Sequence, residues 1–400
     1  MSPTTKTVIL TNANIVTEQG VIEGGSIVLA EGKIAAIGQA SDAASLHAMG
    51  AETIDAAGGW VLPGFIDVHV HGGYGADFME GTRESLDTIT RFHNGHGTTS
   101  MLATTLTSPK EQLDHALEAV HAYRQGDMPY AQVVGVHVEG PFINVKYKGA
   151  QNPAYIVPPQ QDWLVEWNGR FPGLIRQLSL APETEGALEL IAWLRANGIN
   201  AAAAHTDATY DQVIAAADAG LNQAVHTFNA MSPLHHRNPG TVGAVMTDDR
   251  ICAEVIADGV HVHPACIRLL LKTKTADNLV IITDAIAGAG LDDGTYELGG
   301  LAIVVKDGVA NLKEGNSLAG STLTMIGALR YVVGHTGTTV PQASRYMSGN
   351  PARQLGIFDK TGSLEVGKQA DVLLIDADLN LQRIWTKGKE SAPFRKVPAK

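Results

Sequence analysis

Cysteine and basic residues are both scarce in this sequence. Only two cysteines occur among the 400 residues, Cys252 and Cys266, and the one disulfide they could form cannot cross-link a chain of this length into its fold. We therefore expect the fold to be held by its core, in a reducing, cytoplasmic location. Lysine and arginine number 29 against 41 acidic residues, a formal net charge of −12. That balance argues against nucleic acid or an anionic membrane as a partner, although a local cluster of Arg and His would still suit an anionic small molecule.

Long apolar runs and nucleotide-binding motifs are missing as well. No stretch of 18 or more uncharged apolar residues occurs, so we expect no membrane-spanning helix, and residues 1–12 are too polar for a signal peptide. No apolar strand is followed by G-x-G-x-x-G or G-x-x-x-x-G-K-[ST], so neither a dinucleotide site nor a P-loop is expected. With 44% hydrophobic and 18% charged residues, the chain can bury a large core.

The two ends of the chain share one pattern, in which short alternating strands are separated by turn residues. Residues 6–60 contain several segments of this kind, and residues 362–376 repeat it. We predict that residues 1–60 and 362–400 together form one small β-sandwich domain.

Between these ends, over residues 61–361, an apolar strand followed by an amphipathic helix recurs. Helices are expected near 113–125, 185–197 and 210–219. Strands are expected near 61–71, 98–106, 133–139, 175–182, 199–205, 223–228, 251–257 and 279–284. Eight such units predict an α/β fold of the (β/α)8 TIM-barrel type. A doubly wound open sheet is the alternative.

Chemically capable side chains recur where the predicted barrel strands end, which is where such barrels carry out their chemistry. In the first strand, His69 and His71 are two residues apart and therefore point to the same side. Across five strands the set comprises four imidazoles and two carboxylates: His69, His71, Glu139, His205, His226 and Asp284.

A metal ion explains this set better than structural burial does. A lone H-x-H pair could equally be two core histidines, and His137 could be either a core residue or a hydrogen-bond partner of a ligand. Six polar side chains converging on one barrel mouth would be costly to bury unless an ion satisfied them. Because imidazole nitrogen predominates, we expect Zn, Fe or Mn rather than Mg or Ca.

The chain also resembles a known family. Residues 63–72, Pro-Gly-Phe-Ile-Asp-Val-His-Val-His-Gly, are similar to the first-strand signature of the amidohydrolase superfamily, and the chain more narrowly resembles its N-acetylglucosamine-6-phosphate deacetylase family. The segments that carry the narrower resemblance run through nearly the whole chain: 137–144, 204–208, 226–231, 256–261, 283–285, 318–321 and 349–352. The fourth predicted barrel strand, 175–182, lacks the lysine that dihydroorotase-like members carbamylate. Glu139 would take the place of that lysine.

The resemblance implies hydrolysis of the acetamide of N-acetylglucosamine 6-phosphate, in amino-sugar catabolism and cell-wall recycling. It implies that Glu139, His205 and His226 hold one divalent ion, Zn or Fe. His69 and His71 would permit a second ion, with Glu139 as the bridge. A bound divalent ion lowers the pKa of its water from about 15.7 to about 7. Asp284 would then accept a proton from that water and later pass it to the leaving nitrogen.

The resemblance also implies a substrate site. Arg237 and His261 would bind the phosphate, with Arg237 reaching the site of a neighbouring subunit in a homodimer. The other implied substrate contacts are Gly140, Asn229, Ala230, Leu318, Ala319 and Ser321. At position 151 the family pattern has a histidine that polarises the substrate carbonyl, whereas this chain has Gln151. A glutamine can donate a hydrogen bond but cannot shuttle a proton, so we expect it to assist a metal in that role.

Three alternatives to this function remain open. The substrate could be N-acetylgalactosamine 6-phosphate, since one hydroxyl's orientation depends on loop placement. The enzyme could be a deaminase or a cyclic amidase on the same metal scaffold, although Arg237 and His261 favour a phosphorylated substrate. A non-catalytic protein of this fold would be expected to have lost metal ligands, and all six expected ligand positions are filled here.

Overall fold

The computed structural model describes residues 6–39, 51–315 and 317–394. Its strands are β1 (Val8–Thr17), β2 (Gly20–Ala30), β3 (Lys33–Gln39), β4 (Glu52–Asp55), β5 (Trp60–Pro63), β6 (Phe65–Asp67), β7 (Gly72–Gly73), β8 (Ala76–Asp77), β9 (Thr98–Thr104), β10 (Gln132–Glu139), β11 (Ile175–Leu180), β12 (Asn200–Ala203), β13 (Gln223–Ala224), β14 (Cys252–Ile256), β15 (Leu279–Ile282), β16 (Gly294–Leu298), β17 (Leu301–Lys306), β18 (Val309–Leu312), β19 (Val372–Ile375), β20 (Leu381–Thr386) and β21 (Lys389–Ser391). Its α-helices are α1 (Arg83–Asn94), α2 (Lys110–Gln125), α3 (Gln161–Arg170), α4 (Ala187–Ala196), α5 (Tyr210–Ala219), α6 (Gly240–Thr247), α7 (Pro264–Thr273), α8 (Met325–Thr336), α9 (Val340–Ser344) and α10 (Asn350–Gln354).

Eight parallel strands form the central sheet, in the order in which they occur along the chain: β6, then β9 to β15. One of the helices α1 to α7 joins each strand to the next, and α8 follows the last strand. Beyond the paired strands, Asp284 N–H donates to the His69 carbonyl at 2.8 Å and His71 N–H donates to the Ala285 carbonyl at 2.9 Å. The last strand thereby meets the first, which confirms the (β/α)8 barrel and excludes the doubly wound alternative.

Both ends of the chain contribute to a second sheet, in the order β21, β20, β19, β5, β1, β2, β3, with β4 also paired to β1. Ile15, Val61, Val372 and Trp385 pack together in its core. This sheet fits the β-sandwich expected from the two termini. The division into 1–60 with 362–400 and 61–361 stays a prediction, and its residues 1–5, 40–50 and 395–400 lie outside the described part of the chain.

The prediction of a single strand over 61–71 is wrong. It is divided into β5, which pairs with β1 and β19 in the terminal sheet, and β6, which pairs with β9 in the barrel. The chain passes between the sheets at Gly64, where a Cβ would lie 2.1 Å from Thr99 Oγ1. A glycine at this position lets the two sheets approach each other closely.

Two further features concern the barrel's periphery. A three-stranded antiparallel sheet, β16 to β18, follows the last barrel strand and was not expected from the sequence. The expected helix 210–219 is confirmed as α5. Among the described residues, no helix combines the length and apolar content needed to cross a bilayer.

Candidate active site

Six side chains meet at the carboxyl end of the barrel, and all six are buried. They form two groups, within each of which the candidate ligand atoms lie within 4.8 Å of one another. One group is His69, His71 and Asp284, and the other is Glu139, His205 and His226. The structure thus brings together all the residues that the sequence predicted as metal ligands, together with Asp284.

Glu139 belongs to the second group and also contacts the first. Its Oε1 is 3.3 Å from Nε2 of both His69 and His226 and 3.4 Å from Nε2 of His205. Its Oε2 is 3.3 Å from Nε2 of His71. One carboxylate therefore contacts imidazoles of both groups, as a residue that bridges two ions would have to do.

Hydrogen bonds on the far side of the rings orient the histidines of the second group. His205 Nδ1 lies 2.9 Å from the Tyr147 carbonyl, and His226 Nδ1 lies 3.2 Å from the Asn229 carbonyl. A carbonyl can only accept, so Nδ1 of each ring carries the hydrogen and Nε2 presents its lone pair to Glu139 and its neighbours. Histidine ligands of metals are commonly held in this way.

The chemistry of the donor set fits a metal ion. His69 Nε2 and Glu139 Oε1 are buried, yet neither makes a hydrogen bond within the described part of the chain. An unsatisfied buried polar group costs about 1–3 kcal/mol, and more if it is charged. Nitrogen and oxygen atoms that converge in this way without hydrogen bonding are what a divalent ion of the zinc or iron type requires.

The electrostatics of the site also favour a cation. Burial opposes a charge on His71, but its contacts with Asp284 and Glu139 outweigh burial and raise its pKa to about 9. Burial would raise the pKa of Asp284, yet His69 and His71 lower it to about 2. The pKa of Glu139 is likewise lowered well below its usual value, because the charges of the nearby histidines outweigh burial. The two carboxylates therefore stay ionised and attract positive charge.

The backbone at the strand ends adopts an uncommon conformation. His205, His226 and Asp284 have φ values of 45°, 31° and 52°, in the left-handed region. Each lies two residues beyond the end of its barrel strand. Such conformations cost about 1–3 kcal/mol each and are concentrated at functional sites.

A cavity of about 410 Å³ opens above these residues. Its volume lies in the range of small-molecule sites, roughly 300–1,000 Å³. Of the expected substrate contacts, Asn229, Ala230, His261, Leu318 and Gln151 line it. The His261 ring is fixed by Asp258, whose Oδ2 lies 2.7 Å from Nδ1. Although burial opposes it, this contact raises the pKa of His261.

Four expected substrate contacts do not line this cavity. Gly140 (φ 70°) packs against Thr107, whose Oγ1 would be 2.2 Å from a Cβ at this position. Ala319 N–H donates to the Ala310 carbonyl at 3.1 Å, and the Ser321 hydroxyl donates to the Thr283 carbonyl at 2.5 Å. Arg237 lies on the exposed loop 233–238.

Gln151 is held from both ends of its amide. The Thr107 N–H donates to its Oε1 at 2.8 Å, and its Nε2 donates to Glu139 Oε2 at 2.6 Å. The acceptor role of Oε1 establishes which amide atom faces Glu139. The second Nε2 hydrogen remains available to a group in the cavity.

Several residues around the site were not singled out from the sequence. Leu106, Tyr147, Ile256 and Leu298 line the cavity, and Glu254 lies beneath His69. The cavity residues carry no signal in a single sequence, because they are ordinary side chains on loops or at strand ends. Glu254 did carry one, since it is an acidic residue within the apolar run Cys252–Ile256.

The chain matches the Amidohydrolase family over residues 60–397. It is 38% identical to the N-acetylglucosamine-6-phosphate deacetylase of Bacillus subtilis (strain 168), over 91% of this chain and 92% of that protein. It is also 38% identical to the N-acetylgalactosamine-6-phosphate deacetylase of Escherichia coli O157:H7, over 95% of this chain and 98% of that protein. Among solved structures, a variant of the Mycobacterium smegmatis N-acetyl-D-glucosamine-6-phosphate deacetylase, in complex with N-acetyl-D-glucosamine-6-phosphate, superposes with a TM-score of 0.90. That protein is 33% identical to this chain, and the match covers 96% of this chain and 99% of the solved chain.

Proposed function

Since the chain belongs to the amidohydrolase family, we propose that it hydrolyses the acetamide bond of N-acetylglucosamine 6-phosphate to give glucosamine 6-phosphate and acetate. The observation that carries this proposal is the arrangement of two metal-binding groups around Glu139, at the base of a cavity sized for a small molecule. The relatives named for this activity match nearly the whole chain, so the proposal concerns the whole protein.

Two divalent ions, zinc or iron, fit the donor set. Glu139, His205 and His226 would hold one, and His69, His71 and Asp284 would hold the other, with Glu139 contacting both. When bound, such an ion acidifies water and polarises a carbonyl oxygen. The histidines contribute by presenting Nε2 lone pairs at short range, and Glu139 contributes the negative charge that a dication needs.

Asp284 is the proposed proton carrier. Its low pKa keeps it ionised near neutral pH, so it can accept a proton from the attacking water at a carboxylate oxygen. It then donates that proton to the amide nitrogen, which leaves as an amine. The nitrogen is a poor leaving group unless it is protonated, so the second transfer is as necessary as the first.

The phosphate and the sugar occupy the outer cavity in this proposal. His261 lines the cavity, and its raised pKa favours the imidazolium form that binds phosphate. Asn229 and Ala230 would contact the sugar, and Leu318 would form a wall. Gly140, Ala319 and Ser321 are chain neighbours of residues that line the cavity and would act by positioning them. Gln151 would direct its second N–H to the acetyl carbonyl.

A second copy of the chain would complete the phosphate site. Arg237 lies on an exposed loop, together with Leu234, whose side chain is 50% exposed. The reach of Arg237 into the site of a neighbouring subunit, in a homodimer, would explain why this arginine is not in the cavity of its own chain. A guanidinium suits phosphate because it can bind two oxygens at once.

The test is acetate release by purified protein reloaded with zinc or ferrous iron after chelation. N-acetylglucosamine 6-phosphate should be cleaved, and N-acetylgalactosamine 6-phosphate and unphosphorylated N-acetylglucosamine are the comparison substrates. Ammonia release from nucleobases and ring opening of cyclic amides test the two alternative activities. His226→Gln should abolish activity, while His335→Gln, at an exposed position in α8, should not. Loaded protein that releases no acetate from N-acetylglucosamine 6-phosphate would reject the proposal, and release from N-acetylgalactosamine 6-phosphate alone would assign that substrate instead.

A further inference from the structure

Glu254 is a buried acidic residue inside the barrel. It lies in β14, between apolar residues, and its side chain is 0% exposed. Barrel interiors are dominated by branched apolar side chains, and glutamate is almost never fully buried unless it is paired. Its position therefore calls for a specific partner.

That partner is His69. Glu254 Oε2 lies 3.1 Å from His69 Nδ1, and Glu254 Oε1 accepts a hydrogen bond of 2.7 Å from Gln177 Nε2 on β11. Gln177 is itself buried, with 1% exposure. The carboxylate is thus held at both oxygens, by an amide on one side and an imidazole on the other.

This contact determines how His69 faces the site. A carboxylate accepts hydrogen bonds, so Nδ1 of His69 carries a hydrogen, which leaves Nε2 as the ring atom that can bind an ion. Nε2 lies 3.3 Å from Glu139 Oε1 and 3.6 Å from Asp284 Oδ1, and it makes no hydrogen bond among the described residues. By contrast, Nδ1 of His71 is buried without a partner in the described chain, so nothing comparable orients that ring.

We propose that Glu254 is a positioning residue for the ion held by His69, His71 and Asp284, and that the ion held by Glu139, His205 and His226 does not depend on it. The second group needs no such carboxylate, because the Tyr147 and Asn229 carbonyls orient its two histidines. The inference rests on the proposed two-ion site. It also accounts for a buried acidic side chain that the reaction itself does not use.

The decisive variant is Glu254→Gln, because a glutamine fills the same volume but can present an NH2 to His69 Nδ1 and so reverse its tautomer. Zinc is titrated into chelated protein, and bound zinc per chain is measured by mass spectrometry. Loss of such a partner typically weakens metal affinity roughly 10- to 100-fold. We expect two ions in the wild type and, at limiting free zinc, one in Glu254→Gln. Asp371→Asn is the matched control, because Asp371 is a buried acid directly before β19 that accepts hydrogen bonds from Thr361 and Lys387, and it should retain both ions.

The outcomes separate this inference from the proposed function. A wild-type protein that binds neither zinc nor ferrous iron rejects the proposed function. A wild type with one ion, or a Glu254→Gln variant that holds two with unchanged affinity, overturns the role of Glu254 and leaves deacetylation standing. If Glu254→Gln does not fold, nuclear magnetic resonance spectra of zinc-loaded wild type with ¹⁵N-labelled histidine decide the question. The His69 signal is identified as the one that disappears in His69→Asn. A hydrogen on Nδ1 of His69 supports the inference, and a hydrogen on Nε2 overturns it.

Discussion

Asp284→Asn tests the proton-transfer step with little change in shape. Asp284 Oδ1 lies 3.2 Å from His71 Nε2, and the side chain is 11% exposed, so a substitution here acts on the buried site itself. The residue has φ 52°, where most side chains are strained but asparagine is tolerated. Asparagine therefore removes the proton acceptor without the backbone penalty of about 1–2 kcal/mol that alanine would add.

The expected loss follows from the role of Asp284. General acid–base catalysis contributes about 10²–10⁴-fold, which corresponds to about 2.7–5.4 kcal/mol of transition-state stabilisation. We expect kcat for acetate release to fall by that factor at saturating zinc, with KM changed little, because the proposed phosphate contacts at His261 remain. The control is Asp307→Asn, an exposed aspartate with φ 51° in the turn between β17 and β18, which should leave kcat unchanged. A zinc-saturated Asp284→Asn protein with kcat within tenfold of wild type would refute the reasoning.

Two further predictions concern Gln151 and His71. Gln151→Ala should lower kcat, because it removes both the bond to Glu139 and the proposed donor to the substrate carbonyl, and unchanged steady-state kcat and KM would contradict that role. The metal-free protein should become less stable as pH rises, since the pKa of His71 is raised from 6.5 to about 9. The stabilisation is complete below pH 6.5 and is lost as pH rises through 9, by up to about 3 kcal/mol. Denaturant unfolding of the metal-free protein at pH 6.5 and pH 9 measures this loss of stability. Zinc-loaded protein should not show it, because the ion replaces the proton. Equal stability of the metal-free protein at both pH values would contradict the prediction.

The convergence of the candidate ligands could be predicted from the sequence, because the topology of a barrel brings its strand ends together. His205 and His226 are far apart in sequence, but each follows an apolar strand, and parallel strands of a barrel end at the same face. The prediction needed only residue type and position relative to a strand. It did not need distances, and the left-handed backbone at these residues was not foreseen.

Features that depend on contacts between distant strands were not predictable in this way. Glu254 and Gln177 are 77 positions apart, and a single sequence contains no register that would align β14 with β11. The break at Gly64 depends on the side chain of Thr99, which approaches only after both sheets have formed. The three-stranded sheet β16 to β18 has short alternating strands, but it lies between the last barrel strand and α8, where no sheet was predicted.

Strand β5 sits in the middle of the terminal sheet, paired on one side to β1 and on the other to β19. During synthesis, β19 leaves the ribosome roughly 300 residues after β5, which at 5–20 residues per second is a delay of roughly 15–60 s. For that interval the nascent chain displays an unpaired strand edge beside the start of its barrel, and such an edge is a template for association with other chains. Chaperone demand for this protein should therefore peak before its last strands emerge, whatever the stability of the finished fold.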